Sequence, residues 1–132
     1  MDEPGAEELL TLFFESTETS RRAGEEWLGR VFTREKDRDG SPTDIPSREA
    51  LYTAILDWSV PDESRLARLA HIVQPTLVAN GDNDRVVPTE NSYRLARLIP
   101  NAKLSIYPDA GHGFLSQYPA EFGAEVNAFL GR

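Results

Sequence analysis

The sequence predicts an α/β fold in which a helical first half is followed by a β-α-β-α unit with two parallel strands. In residues 1–70, apolar side chains recur at spacings of three and four, the period of a buried helical stripe. In residues 71–132, two short β-rich segments are separated by an amphipathic helix. Because a strand-helix-strand connection joins parallel strands, both strands are expected to end at one edge of the sheet.

Four helices are predicted in the first half, three of them beginning after a residue that favours the N-cap position. They span residues 7–15, 21–34, 49–60 and 63–72, with Ser20, Ser47 and Asp62 as N-caps of the last three. The charged segment 35–46 contains a glycine and two prolines and is predicted to be a loop. Leu51, Ile55 and Trp58 share one face of the third helix.

The second half begins with a predicted buried strand over residues 75–79, bounded by a proline and by Asn-Gly. An amphipathic helix over 89–99, a second strand over 103–107 and a final helix over 118–130 follow. Two strands leave at least one sheet edge without a partner, and unpaired edges favour association. The chain is therefore expected to be part of a larger structure or to self-associate.

Composition limits the classes of function. The 132 residues fit one domain, and the net charge of −8 argues against binding nucleic acid through a basic surface. With no cysteine and two histidines, no metal site is expected, and no cofactor is implied. No apolar run approaches the roughly 18 residues of a membrane span, and the acidic N-terminus lacks the features of a signal peptide. The expected location is the cytoplasm.

An acidic loop and a histidine loop follow the two predicted strands. Asp82 and Asp84 come after the first strand, and His112 lies between two glycines after the second. An acid that orients a histidine base forms part of a catalytic triad. Asp84 is favoured as the orienting acid, because Asp82 directly follows Asn-Gly and suits a turn. Neither a G-x-S-x-G motif nor a glycine-rich oxyanion-hole segment occurs, so no nucleophile is predicted in these residues.

The aromatic residues of the first half have two interpretations. Trp27 and Phe32 lie on an apolar helical stripe and are predicted to be core residues. Phe13, Phe14 and Trp58 are equally compatible with a core role and with an apolar substrate pocket above the sheet edge.

The segments PTLVANGDNDRVVP and YPDAGHGF resemble the C-terminal part of the α/β-hydrolase superfamily. The resemblance implies that Asp84 is the acid and His112 the base of a triad. It also implies that residues 1–70 are a cap over the active site and that residues 71–132 are the end of the core. The strands, oxyanion-hole loop and nucleophile elbow that precede the cap in this family have no counterpart in the sequence.

The resemblance therefore suggests a truncated or split serine hydrolase of esters, lactones or similar acyl substrates. Such a chain is expected to be inactive without an N-terminal half-chain that carries the serine. The alternative is a non-catalytic fragment that self-associates through the exposed sheet edge and acts as a binding or scaffold module. A further alternative is a hydrolase in which Asp84 and His112 activate water directly.

Overall fold

A computed structural model describes residues 5–33 and 44–131, apart from the side chains of Phe32 and Glu63. The described elements, in chain order, are α1 (Ala6–Phe13), α2 (Glu18–Phe32), α3 (Ile45–Ser59), α4 (Glu63–Ala67), a 3₁₀ turn (Arg68–His71), β1 (Thr76–Gly81), α5 (Thr89–Leu98), β2 (Ala102–Tyr107), α6 (Phe114–Gln117) and α7 (Pro119–Phe129). This order confirms the predicted α/β class. Most of the predicted loop at 35–46, and the predicted core role of Phe32, lie outside the described residues.

Two of the predicted N-caps are wrong by three residues. Helix α2 is capped by Thr17, whose side chain accepts a hydrogen bond from the Ser20 backbone at 3.2 Å. Helix α3 is capped in the same way by Asp44, which accepts from the Ser47 backbone at 2.8 Å. In both cases an earlier residue that also favours this position takes the role. The predicted N-cap of α4 is confirmed, because Asp62 accepts from the Ser64 backbone at 2.9 Å, but the predicted helix over 63–72 continues beyond Ala67 as a 3₁₀ turn.

Helix α3 forms as predicted, but its apolar face is exposed. Leu51, Ile55 and Trp58 are 60%, 61% and 68% exposed, and the helix contains no buried residue. Its C-terminal end is held by Arg65, which donates to the carbonyls of Asp57 and Trp58 at 3.1 Å. The periodicity therefore predicted the helix correctly. No part of the chain that the structure describes buries its apolar face.

Strands β1 and β2 form a parallel pair, in register from Thr76 opposite Ala102 to Gly81 opposite Tyr107. The prediction ended the first strand at residue 79, whereas β1 continues through Gly81. A Cβ atom on Gly81 would overlap the carbonyl oxygens of Ala110 and Gly111. Glycine at this position therefore allows the end of β1 to lie directly against the loop that follows β2.

Two apolar clusters lie on either side of that loop. One joins α1 to α2 through the buried side chains of Leu10, Phe14 and Leu28. The other joins β2 to α6 through Tyr107 and Phe114, whose rings stack with centroids 5.3 Å apart. The loop between them is thus fixed by packing on both sides. Over the described ranges, no helix has both the length and the apolar character needed to cross a membrane.

Candidate active site

Asp84 and His112 meet at the carboxyl end of the two strands. The Asp84 Oδ2 atom lies 2.9 Å from Nδ1 of the imidazole. The aspartate side chain is only 1% exposed, whereas the histidine side chain is 36% exposed. The sequence predicted this pair because parallel strands end at a common edge.

The backbone around Asp84 fixes the orientation of its carboxylate. The Oδ1 atom accepts hydrogen bonds from the backbone of Val86 at 2.8 Å and of Val87 at 2.9 Å. The Asp84 backbone donates to Thr89 Oγ1, and that hydroxyl donates to the Gly81 carbonyl at 2.7 Å. With Oδ1 occupied by two donors, Oδ2 remains for the histidine. Because an ionised carboxylate only accepts, this contact assigns the proton to Nδ1 in the neutral imidazole, which leaves the lone pair on Nε2.

Asp82 connects the two loops rather than stabilising its own turn. Its carboxylate accepts from the backbone of Asp109 at 3.0 Å and of Ala110 at 3.1 Å. Asp109 has a φ of 51°, a left-handed conformation that aspartate tolerates better than most residues. The prediction that Asp82 serves a local turn is therefore corrected. Its partners lie 27 and 28 positions away, and no local signal in the sequence indicates them.

The end of α1 is attached directly to the histidine loop. The Gly113 backbone donates to the Phe13 carbonyl at 2.7 Å, and a Cβ on Gly113 would lie only 2.9 Å from that oxygen. The Phe13 ring stacks on the imidazole of His112, with centroids 5.5 Å apart and planes at 23°. A Cβ on Gly111 would also lie 2.9 Å from the Phe13 oxygen, so both glycines that flank His112 lie close to the end of α1.

A polar network centred on the buried Ser20, which sequence reasoning missed, strengthens this attachment. Ser20 has no exposed surface; its hydroxyl accepts from the Glu15 backbone at 2.9 Å and donates to Gln117 at 2.7 Å. Gln117 in turn donates to the Asp109 carbonyl at 2.8 Å, and Thr17 donates to the Asp109 carboxylate. The turn between α1 and α2 is thus joined to both ends of the histidine loop.

The Glu15 carboxylate joins the same turn to the acidic loop. Its Oε2 atom accepts from Asn83 at 2.9 Å and from Arg85 at 3.1 Å. The glutamate side chain is 10% exposed, and its charge is balanced by Arg85, whose side chain is 56% exposed. Asn83 and Arg85 flank Asp84, and the contact therefore fixes the acid loop from the side of the helices.

A pocket of about 200 Å³ opens beside His112. Its lining residues are mainly aromatic or apolar: Phe13, Phe14, Trp27, His112, Gly113, Leu115 and Ser116. The structure thus brings Phe13 and Phe14 to the histidine, together with Trp27, which was predicted only as core. It does not bring Trp58 there, because that side chain lines a separate depression with Leu66 and Leu69.

The described residues supply no partner for the other histidine nitrogen. Ser116 lies in the pocket wall within α6, but no serine hydroxyl between residues 5–33 or 44–131 is hydrogen-bonded to His112. Over the same ranges, no group of three or more histidine, aspartate or glutamate side chains could hold a metal ion. Chemically, the arrangement is a histidine hydrogen-bonded to a buried carboxylate, next to an apolar pocket.

In this structure two parallel strands are joined by a crossing helix, and they are followed by an acidic loop and a histidine loop that contact a helical segment. These features are those of the C-terminal part of an α/β hydrolase fold. A family model described as alpha/beta hydrolase fold matches residues 12–117. The chain belongs to this family.

Individual relatives agree with this assignment. A solved alpha/beta hydrolase fold protein from Chitinophaga pinensis superposes with a TM-score of 0.87 at 38% identity, covering 97% of this chain and 46% of that protein. A 2-hydroxy-6-oxo-6-(2'-aminophenyl)hexa-2,4-dienoic acid hydrolase from Metapseudomonas resinovorans is 32% identical over 94 residues, which are 68% of this chain and 32% of the relative. A non-heme haloperoxidase from Rhodococcus erythropolis is 33% identical over 85 residues, 64% of this chain and 30% of the relative. The chain thus spans about a third of the length of these two relatives.

Proposed function

We propose that this chain supplies the acid and the base of a serine hydrolase that acts on esters, lactones or similar acyl substrates. The observation that supports this most directly is the 2.9 Å contact between Asp84 Oδ2 and His112 Nδ1, with the acid buried and the base accessible. The membership of the α/β hydrolase fold family supports the same reaction class. In this proposal residues 1–70 are the cap and residues 71–132 the end of the core.

In the proposed reaction, His112 Nε2 accepts the proton of a serine hydroxyl as the oxygen attacks the acyl carbon. The same proton then passes from Nε2 to the leaving alcohol, and a water molecule repeats the sequence to release the acid. Asp84 keeps the imidazole in the required tautomer and stabilises its cation. The serine comes from outside these 132 residues, either from another part of a longer protein or from a separate N-terminal half-chain.

Phe13 and Phe14 are proposed to contact the substrate, because both line the pocket beside the base. The relative from Metapseudomonas resinovorans is named for the hydrolysis of a dienoic acid that carries an aminophenyl group.

A cytoplasmic location belongs to the same proposal. It is supported by the absence of cysteine, since small extracellular domains are commonly stabilised by disulfides.

The test is complementation. The chain is mixed with an N-terminal half of a family member that carries G-x-S-x-G, and hydrolysis of p-nitrophenyl acetate is followed. Turnover is expected only in the mixture, and Asp84→Asn should lower kcat by about 10⁴-fold, as the equivalent change does in other triads. His112→Ala should abolish turnover, while His71→Ala, at an exposed histidine of the 3₁₀ turn, should leave it unchanged. Equal rates for the isolated chain and the mixture would show that the serine argument is wrong.

A second candidate is a non-catalytic module that self-associates. The observation that favours it is the apolar face of α3, where Leu51, Ile55 and Trp58 are all more than half exposed. Exposed apolar patches of this kind mark interaction surfaces, and the two-stranded sheet adds an edge that could pair. Sedimentation velocity distinguishes the candidates, because this one requires a dimer or larger species that Ile55→Asp dissociates.

A further inference from the structure

The pocket beside His112 has the size and the lining of a site for a single ring. Its volume is about 200 Å³, and three aromatic side chains, Phe13, Phe14 and Trp27, form much of its wall. An apolar protein cavity of about 150 Å³ binds benzene. The rings of Phe13 and Trp27 meet edge to face, with centroids 5.8 Å apart, so the wall is built from two aromatic rings in contact.

The aromatic wall of the same pocket offers no partner to a charged group, and His112 and Ser116 are the polar side chains of its lining. Its lining contains no aspartate, glutamate, lysine or arginine. The neighbouring acids are already engaged, Asp84 by two backbone donors and His112, and Glu15 by Asn83 and Arg85. Arg30, which reaches the lining residue Ser116, donates to its backbone carbonyl at 3.3 Å. A charged substituent placed against the aromatic wall, away from His112 and Ser116, would therefore lose its hydration without gaining a partner.

We propose that this pocket binds one uncharged, ring-sized apolar group of the substrate, which places the adjoining acyl carbon next to His112. The inference rests on the proposed function for the reaction at that carbon, but the binding itself does not require turnover. Substrates with a benzyl- or cyclohexyl-sized group are favoured over those with a carboxylate or a long flexible chain in this position, because only the former match both the volume and the lining.

The binding can be measured on the 132-residue chain itself by NMR. The two tryptophans give two indole N–H signals, one from Trp27 in the pocket and one from Trp58 on exposed α3. Benzyl alcohol should shift the Trp27 signal in a saturable manner and leave the Trp58 signal in place. Benzoate, which has the same ring but a negative charge, should bind at least about tenfold more weakly.

A matched pair of variants tests the location. Leu115 and Leu12 are both 49% exposed, but only Leu115 lines the pocket. Leu115→Asp should weaken benzyl alcohol binding by about tenfold, and Leu12→Asp should leave it unchanged. Equal binding of benzoate, parallel shifts of both indoles, or indistinguishable variants would each overturn the inference. Saturable binding without turnover in the complementation assay would instead contradict the proposed function alone.

Discussion

Replacing Ser20 by alanine should destabilise the chain far more than a serine-to-alanine change on its surface. The residue has no exposed area, and its hydroxyl makes two hydrogen bonds, to the Glu15 backbone at 2.9 Å and to Gln117 at 2.7 Å. Alanine removes both bonds and introduces no bulk. The loss therefore measures how strongly the turn between α1 and α2 is attached to the histidine loop.

The two broken bonds do not cost the same. Gln117 is half-buried, so its Oε1 atom can accept from water instead while Nε2 keeps its bond to the Asp109 carbonyl, at a cost of about 0.5 kcal/mol. The Glu15 backbone N–H belongs to a residue that is 9% exposed and cannot rotate away, so leaving it unpaired costs about 1–3 kcal/mol. The expected loss in the free energy of unfolding is therefore about 1.5–3.5 kcal/mol.

Urea unfolding of the wild type and of Ser20→Ala gives this difference as a shift of the midpoint at unchanged slope. Ser59→Ala is the matched control, because the Ser59 hydroxyl is exposed and donates only to the Leu56 carbonyl within α3. The control should lie within about 0.5 kcal/mol of the wild type. If Ser20→Ala and Ser59→Ala had equal midpoints, the turn would not be held by this serine, and the described attachment of the histidine loop would be refuted.

Three further predictions concern stability. Hydrogen bonds from Lys103 and then Tyr107 lower the pKa of Glu125 from 4.5 to about 2. The stability that they contribute is therefore present above about pH 4.5 and is lost as the pH falls towards 2. Between these pH values, the urea midpoint of Glu125→Gln should change less with pH than that of the wild type. Gly81→Ala should cost about 1–3 kcal/mol in urea unfolding, because its Cβ would overlap backbone carbonyls. Gly29→Ala has open space around it in α2 and should gain about 0.5–1 kcal/mol. An equal effect of the two substitutions would contradict the close approach of β1 to the histidine loop. Phe114→Ala should cost about 3–5 kcal/mol by calorimetry or urea, and a loss below 1 kcal/mol would show that the cluster around β2 is not tightly packed.

The β-α-β part of the fold followed from the sequence because two physical rules act together. Short β-rich segments separated by a helix must pair in parallel, and parallel strands deliver the loops that follow them to one edge. That is why Asp84 and His112, 28 positions apart, lie within hydrogen-bonding distance in the structure. Their contact is observed, and their catalytic role stays a prediction.

The contacts between the helical segment and the loops could not be predicted. Both Thr17 and Ser20 favour the N-cap position, and the local pattern does not reveal that the Ser20 hydroxyl is used by Gln117, 97 residues later. Helix α3 shows a second limit of prediction from the sequence, which concerns burial rather than hydrogen bonding. Its periodicity indicates which face is apolar, but periodicity carries no information on whether a partner surface lies within the same chain.

The backbone hydrogen bond from Gly113 to the Phe13 carbonyl has a consequence for exchanging parts between related proteins. Because α1 ends on the loop that carries His112, the first two helices and the residues from Asp109 to Gln117 form one interchangeable unit. Transplanting helices α1 and α2 from a relative without that loop would leave the histidine without its supporting partner. A chimaera that contains both segments from the same protein should keep the imidazole in place. The segments to be exchanged between relatives should therefore be chosen by their contacts in the structure rather than by their order in the chain.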